Sequence, residues 1–331
     1  MNKPENCFAL AVDIGGSKLD IGLIKADGRL LGGIEKFPVP FDAAGIADPN
    51  GLIGLIAPYV ENAAGIPGRF CGIGLSVCGN IDTETGEAVL VPNLHWRNLP
   101  FGQLVADHFG VRVVSATDVR MAALAEAVWG VAKGLRDFAW ATVGTGYGGY
   151  LFLNGKLYDG SHGFAGNFGH MTLDEINGYP CGCGRKGCFE TFVAGPGIAR
   201  AGQQALEQGR SPILSRLTKE GVVTSQIVFQ AEQMGDQAAH EIIEQVIRLI
   251  SINLGGLVNM LDLEMIIMGG GVTHATPEFV TRVSQRIRDY LETAEAIRDL
   301  RVVGETFLNS ALFGSAVDLF IKEGILMINP I

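Results

Sequence analysis

Gly163-Phe164-Ala165-Gly166-Asn167-Phe168-Gly169-His170 is followed, after ten residues, by Cys181-Gly182-Cys183-Gly184-Arg185-Lys186-Gly187-Cys188-Phe189-Glu190. Three of the six cysteines thus fall within eight residues, with a histidine eleven residues upstream. Thiolates and a neutral imidazole are preferred zinc ligands, and Cys₃His is a closed tetrahedral set. The interspersed glycines let a short loop curve back on one ion. A chance cluster, or a disulfide pair with one free thiol, is the competing reading. Cys7, Cys71 and Cys78 lie far away in apolar runs, as buried free thiols do. Nothing at the N-terminus resembles a signal peptide, so a reducing, cytoplasmic compartment is expected and disulfides are disfavoured. Four protein ligands leave no open position, so the zinc is expected to be structural. The chemistry is then sought in residues that this loop holds in place.

Outward from the loop, glycine turns punctuate short apolar runs. Cys7 to Val12 reads as a strand ending in Asp13-Ile14-Gly15-Gly16-Ser17-Lys18, and Leu19 to Lys25 follows as its hairpin partner. Leu30 to Pro38 reads as a third strand. The first turn is not a Walker loop, because G-x-x-x-x-G-K spacing is absent and no helix follows. Its backbone N–H groups and hydroxyl suit phosphate, and Asp13 suits Mg²⁺ held through water. An ordinary hairpin fits as well. A second turn, Gly144-Thr145-Gly146-Tyr147-Gly148-Gly149, has the G-x-G-x-x-G spacing but continues as a strand, which excludes a Rossmann unit. Thr117-Asp118 stands where a strand runs into an Ala-rich helix, the usual ligand edge of an α/β sheet. A plain N-cap aspartate explains it equally. Gly269-Gly270-Gly271 ends the strand Leu263 to Met268; it suits backbone pressed against a ligand such as adenosine, or a flexible turn. The longest helical pattern runs from Asp236 to Met260, a helix is expected over Pro277 to Leu291, and Gly314 begins a final one.

At 331 residues, two domains are expected. A net charge of −10 disfavours a nucleic-acid-binding surface. The apolar segment Ile242 to Met268 is interrupted by Glu244, Arg248, Asn253, Asp262 and Glu264, so no membrane span is expected.

Asp13-Ile14-Gly15-Gly16-Ser17-Lys18, Thr117-Asp118, Gly144-Thr145-Gly146, Gly169-His170, the Cys181–Glu190 cluster and Gly269-Gly270-Gly271 together resemble the ROK family, in the right order along essentially the whole chain. That family holds bacterial repressors and sugar kinases. The resemblance implies an α/β fold of two RNase H-like (actin-like ATPase) domains around a central cleft, with a zinc-binding loop. Residues 1–118 would form the first domain, rejoined by a C-terminal helix over 314–331. Residues 119–313 would form the second, with the zinc loop at 170–188. ATP with Mg²⁺ would meet Asp13, Gly15, Gly16, Ser17, Lys18, Gly144, Thr145 and Gly146, with the nucleoside near Gly269, Gly270 and Gly271. A small sugar would contact Gly79, Asn93, Thr117, Asn167, His170 and Glu190. Asp118 matches the family's catalytic base, and His170, Cys181, Cys183 and Cys188 match its zinc ligands. A homodimer is the family expectation. Repressors of the family carry a DNA-binding segment before the first hairpin, and none is expected here.

The activity so implied is ATP-dependent phosphorylation of a hexose or N-acylhexosamine hydroxyl, at O6 in most such kinases. The alternative is a non-catalytic sugar-binding sensor. Three departures bear on the sugar. The family's Asn-Asp-x-Asn reads Thr117-Asp118-Val119-Arg120, its Glu-x-Gly-His reads Asn167-Phe168-Gly169-His170, and its Pro-Gly reads Cys78-Gly79. A carboxylate only accepts hydrogen bonds, whereas an amide also donates. Asn167 therefore points away from a plain glucokinase, and the N-acetylmannosamine kinases of the family also tolerate a non-Glu residue there.

Overall fold

The protein is described from a computed structural model, in which residues 6–218, 221–276 and 278–328 are placed. Its strands are β1 (Cys7–Ile14), β2 (Lys18–Lys25), β3 (Glu35–Pro38), β4 (Arg69–Val77), β5 (Asn80–Ile81), β6 (Ala88–Val91), β7 (Trp96–Leu99), β8 (Val113–Thr117), β9 (Phe138–Val143), β10 (Tyr147–Leu153), β11 (Lys156–Leu157), β12 (Met265–Gly269) and β13 (Arg301–Gly304). They build two mixed five-stranded sheets, β3-β2-β1-β4-β8 and β11-β10-β9-β12-β13, and a small sheet β5-β6-β7. Each large sheet follows one plan. A glycine hairpin supplies an antiparallel pair, β1–β2 or β9–β10, and the first strand then pairs in parallel with β4 or β12. This is the duplicated α/β plan of actin-like ATPases, as expected.

The chain divides into two units. One comprises Met1–Leu135, Gly155–Ala165 and Thr306–Ile331, the other Arg136–Asn154 and Gly166–Glu305. The division falls after Leu135, whereas the sequence suggested Asp118. The helix Asp118–Val128 stays with the first unit because it lies against the helix Ser310–Lys322. A Cβ on Gly314 would strike the carbonyl of Met121, so only glycine lets these two backbones approach.

In the first unit both faces of β1 are buried. Leu10, Val12 and Ile14 pack with Leu52, Ile56, Phe101 and Val105, while Ala9 and Ala11 face Leu312, Ala316 and Phe320. That is the strand period of two with helices on either side. Several elements differ from expectation. The third strand starts at Glu35, because Gly32 takes φ +93° and interrupts the run. The last helix spans Ser310–Lys322, and residues 329–331 lie outside the described residues. The helix expected from Pro277 is observed over Phe279–Arg286, Pro277 itself lying outside them.

The spine of the second unit is the helix Gln237–Leu261, capped by Asp236, whose carboxylate accepts from the Ala239 N–H at 2.9 Å. Ile243, Ile247, Ile250, Leu254 and Val258 bury one stripe of it. Among the described residues no helix is long and apolar enough to cross a membrane.

Candidate active site

Asp13 lies one residue before the end of β1. Directly across the ladders stand Asp20 on β2 and Ser76 on β4. The Ser76 hydroxyl donates to Asp13 Oδ1 at 2.6 Å. Burial pushes the Asp13 carboxyl up to about 7, the Ser76 bond opposes the rise, and the charges of Asp118 and Asp20 add to it. Asp20 is itself 3% exposed. One of its oxygens is held by Lys36 Nζ at 3.1 Å and by the Asn309 amide.

Asp118 opens the helix that follows β8. Its Oδ1 accepts from the Val119 N–H at 2.8 Å and from the Thr117 hydroxyl at 3.1 Å. The N-cap is Thr117, which makes no side-chain cap bond, so Asp118 is not the cap that the sequence allowed but the first helical residue, and it presents a carboxylate. Burial again raises its pKa above the carboxylate range, with both bonds acting against the rise. Asp13 and Asp118 are closely surrounded by protein, yet each keeps an edge that solvent reaches. Cys78 sits beside both. Burial first, then these two negative charges, push its thiol up to about 12, and the Asn93 side chain hydrogen-bonds to it. Gly16 lies against Asn93, and Gly79 against Leu90 and Val91. The first unit thus brings together Asp13, Gly15, Gly16, Cys78, Gly79, Asn93, Thr117 and Asp118. Gly15 closes the turn by donating to the Lys18 carbonyl at 2.9 Å, while Ser17 and Lys18 are exposed. Arg120 turns away from Asp118 to pair with Asp159 and Asp318, each at 3.1 Å.

In the second unit the hairpin closes through the Gly144 N–H and the Gly146 carbonyl at 2.9 Å. Gly144 lies beside Gly271, and its carbonyl accepts from the Gly195 N–H at 2.7 Å. Gly270 takes φ +94°, and its N–H donates to Glu305 at 3.3 Å. Gly269 is walled in by Glu305 and Trp140, whereas a side chain on Gly271 would meet open space. Thr145 is exposed at the tip between Gly144 and Gly146.

His170, Cys181, Cys183 and Cys188 converge, with one ligand atom from each lying within 4.8 Å of all the others. Cys183 Sγ and Cys188 Sγ are 3.7 Å apart, and Cys181 Sγ is 3.5 Å from His170 Nδ1. Zinc bonds of about 2.3 Å to sulfur and about 2.05 Å to nitrogen give tetrahedral edges of about 3.8 Å and about 3.5 Å. The donors fit zinc in both element and spacing, with Nδ1 as the histidine ligand. Arg185 donates to the His170 carbonyl at 2.8 Å and so fixes the turn that carries the ring.

Glu190 joins this cluster to the hairpin. Its Oε2 accepts from the Tyr147 N–H at 2.9 Å, and its Oε1 lies 3.6 Å from Cys181 Sγ. Asn167 precedes the short turn Phe168–His170, and its carbonyl accepts from the His170 N–H at 3.0 Å. The sequence reading missed a buried brace behind these groups. The Tyr147 hydroxyl donates to Asn253 Oδ1 at 2.8 Å, and the Asn253 amide reaches back to the Phe168 carbonyl at 3.4 Å. Asn253, a lone amide on an apolar helix stripe, was the available signal. Ser76, near the end of an apolar strand, was another.

A model of the ROK family matches residues 9–323. The chain belongs to the ROK family. Among ROK relatives, the glucokinase of Halalkalibacterium halodurans is 28% identical over 284 residues, 85% of each chain. The structure of a ROK family glucokinase from Streptomyces griseus, in complex with glucose and AMPPNP, is 27% identical. It aligns with a TM-score of 0.78 over 93% of this chain and 98% of that one. The xylose repressor of Caldicellulosiruptor bescii is 29% identical over 239 residues, 71% of this chain and 59% of its own. The ROK chain thus has both enzymes and repressors among its relatives, and its His/Cys cluster is consistent with the family's zinc motif.

Proposed function

We propose that this ROK protein is an ATP-dependent sugar kinase acting on a hexose or N-acylhexosamine hydroxyl, with Asp118 as general base. The observation that carries the reading is Asp118 itself. Both of its described bonds fall on Oδ1, which fixes the carboxylate and offers Oδ2 to a sugar hydroxyl. Burial raises its proton affinity, which suits a group that takes a proton as attack proceeds. Phosphoryl transfer otherwise asks for positioning and charge neutralisation. The first unit would supply the Gly15 and Gly16 N–H groups, with Ser17 and Lys18, to phosphate oxygens. The second would supply Gly144, Thr145 and Gly146, with Gly269, Gly270 and Gly271 against the nucleoside. Asp13, raised by burial and by neighbouring carboxylates, has the character of a group awaiting a cation. Mg²⁺ there would neutralise phosphate charge, and Asp13 would orient it. Gly79, Asn93, Thr117, Asn167, His170 and Glu190 would hold the sugar. Zinc on Nδ1 would fix the His170 ring and leave Nε2 for a hydroxyl.

The test is ADP release across N-acetylmannosamine, N-acetylglucosamine, glucose, fructose, mannose and allose. At least one sugar should stimulate turnover, and Asp118→Asn should lower kcat by about 10²–10⁴-fold. If no sugar lifts turnover above the variant, the kinase reading fails. The xylose repressor relative favours a second reading, a sugar-binding sensor. Calorimetry would then show sugar binding without phosphorylation.

A further inference from the structure

A cavity of about 260 Å³ opens in the second unit among elements that the proposed chemistry does not use. Val246 and Leu249 of the long helix, with Phe192, give its lining an apolar part, and Gln245 of the same helix also lines it. Its walls carry Tyr179, Arg200, Arg210 and Glu241. Arg200 lies face-on over the Tyr179 ring, 3.5 Å from its centroid, and also donates to the Thr191 carbonyl. The ring is held by the Gln204 amide on its hydroxyl at 3.1 Å and by edge contact with Phe192 at 5.5 Å. Stacking and the backbone bond thus hold the guanidinium in one place before any ligand arrives. Arg210 pairs with Glu241 at 2.5 Å. Two guanidiniums and one carboxylate leave the wall with a single net positive charge, because arginine stays protonated.

We propose that this cavity is a binding site for a small organic monoanion, a carboxylate on a flat apolar body. Charge and shape both select this class. One uncompensated guanidinium matches one carboxylate, which it can grip with two parallel bonds. Phe192, Val246 and Leu249 match an apolar body, and the volume lies just below the ~300–1,000 Å³ of larger ligand pockets. A phosphorylated sugar would bring two negative charges to a lining with a single net positive one. The site is connected to the zinc loop. The Tyr179 carbonyl accepts from the Gly187 N–H at 2.8 Å, and Thr191 follows Glu190 directly.

The test uses the full, zinc-loaded chain and three probes by calorimetry: benzoate, benzyl alcohol and inorganic phosphate. Benzoate should saturate with a Kd in the range of about 1–10 mM, and each of the other two should bind at least about tenfold more weakly. Ala201→Phe, which fills the cavity, should remove benzoate binding while leaving the melting temperature within about 2 °C. Arg210→Gln should leave Glu241 uncompensated and weaken benzoate by at least about threefold. Equal binding of benzyl alcohol overturns the anion, and equal binding of phosphate overturns the apolar body. Unchanged binding in Ala201→Phe overturns the location. No saturation by benzoate, with or without a change of oligomeric state in Ala201→Phe, overturns the site; with such a change the face is a subunit interface.

Discussion

Replacing Asp13 with asparagine should stabilise the folded protein while abolishing its proposed chemistry. Asparagine has nearly the same shape, keeps an oxygen to accept from the Ser76 hydroxyl, and carries no charge at any pH. In the folded protein the Asp13 carboxyl is raised from 3.8 to about 7, chiefly by burial. The folded state therefore binds a proton that the unfolded state has released. The stability associated with that proton is fully present below about pH 4 and is lost as pH rises toward 7. At 1.36 kcal/mol per pKa unit the full rise corresponds to about 4 kcal/mol. Because one edge of the carboxylate reaches solvent, an effective cost of about 2–3 kcal/mol is expected. For a unit of this size that is about 5–10 °C in melting temperature. The assay is thermal unfolding of wild type and Asp13→Asn at matched pH between 5 and 8.5, without Mg²⁺. The gap should widen from pH 5 to pH 7, then stay level, with the variant the more stable. A gap independent of pH, or a less stable variant at pH 8, would refute the assignment of Asp13 as a strained carboxylate. Sugar-stimulated ADP release should fall in the same variant, a stability–activity trade-off at one residue.

Metal analysis should find one zinc per chain, and Cys188→Ser should lose it together with the order of the loop, seen as faster proteolysis between Met171 and Phe189. Glu126 is fully buried and accepts from the Val131 N–H at 3.0 Å and from the Thr306 N–H and hydroxyl, each at 2.6 Å. Glu126→Ala strands the Thr306 N–H and hydroxyl, while the Val131 N–H keeps the Thr306 oxygen at 2.9 Å, and should cost about 2–4 kcal/mol in denaturant unfolding, with no rescue by glutamine, whose amide would face donors. The Cys78 thiol, pushed up to about 12, should react with iodoacetamide far more slowly at pH 7.5 than an ordinary exposed cysteine does.

What the sequence made legible was local chemistry. Glycine turns between apolar runs gave both hairpins, because the turn and its flanking strands lie within a few residues of each other. The zinc loop was legible because ligand type and spacing lie in one segment. What it hid was contact across the chain. Asp13 meets Ser76 across 63 residues and Tyr147 meets Asn253 across 106, so a lone polar residue in an apolar run marks one partner but not the other. The early start of the last helix has the same origin. Asn309 stands at the cap position but makes no side-chain cap bond, and its Nδ2 instead donates to Asp20. The domain boundary was misplaced for a related reason. Asp118 looks like the end of a unit, and only the contact of Gly314 with Met121 returns its helix to the first one.

Kinase and repressor relatives within one family pose a question that the zinc cluster cannot answer, because a sugar sensor would need the same ring orientation at His170. The aspartates discriminate better. A protein that only binds sugar gains nothing from two carboxylates set side by side where burial raises both. Substituting either with its isosteric amide would remove the cost of the buried charge while keeping an acceptor oxygen. Ionised groups held at a cost to folding are characteristic of sites where the charge is used. Burial raises the proton affinity of Asp118, the direction that would suit a group accepting a hydroxyl proton. Asp13 is raised toward the range where a cation would draw the proton off. In the proposed kinase the two shifts would serve different steps of one transfer, so Asp13→Asn and Asp118→Asn should each stop sugar-stimulated ADP release.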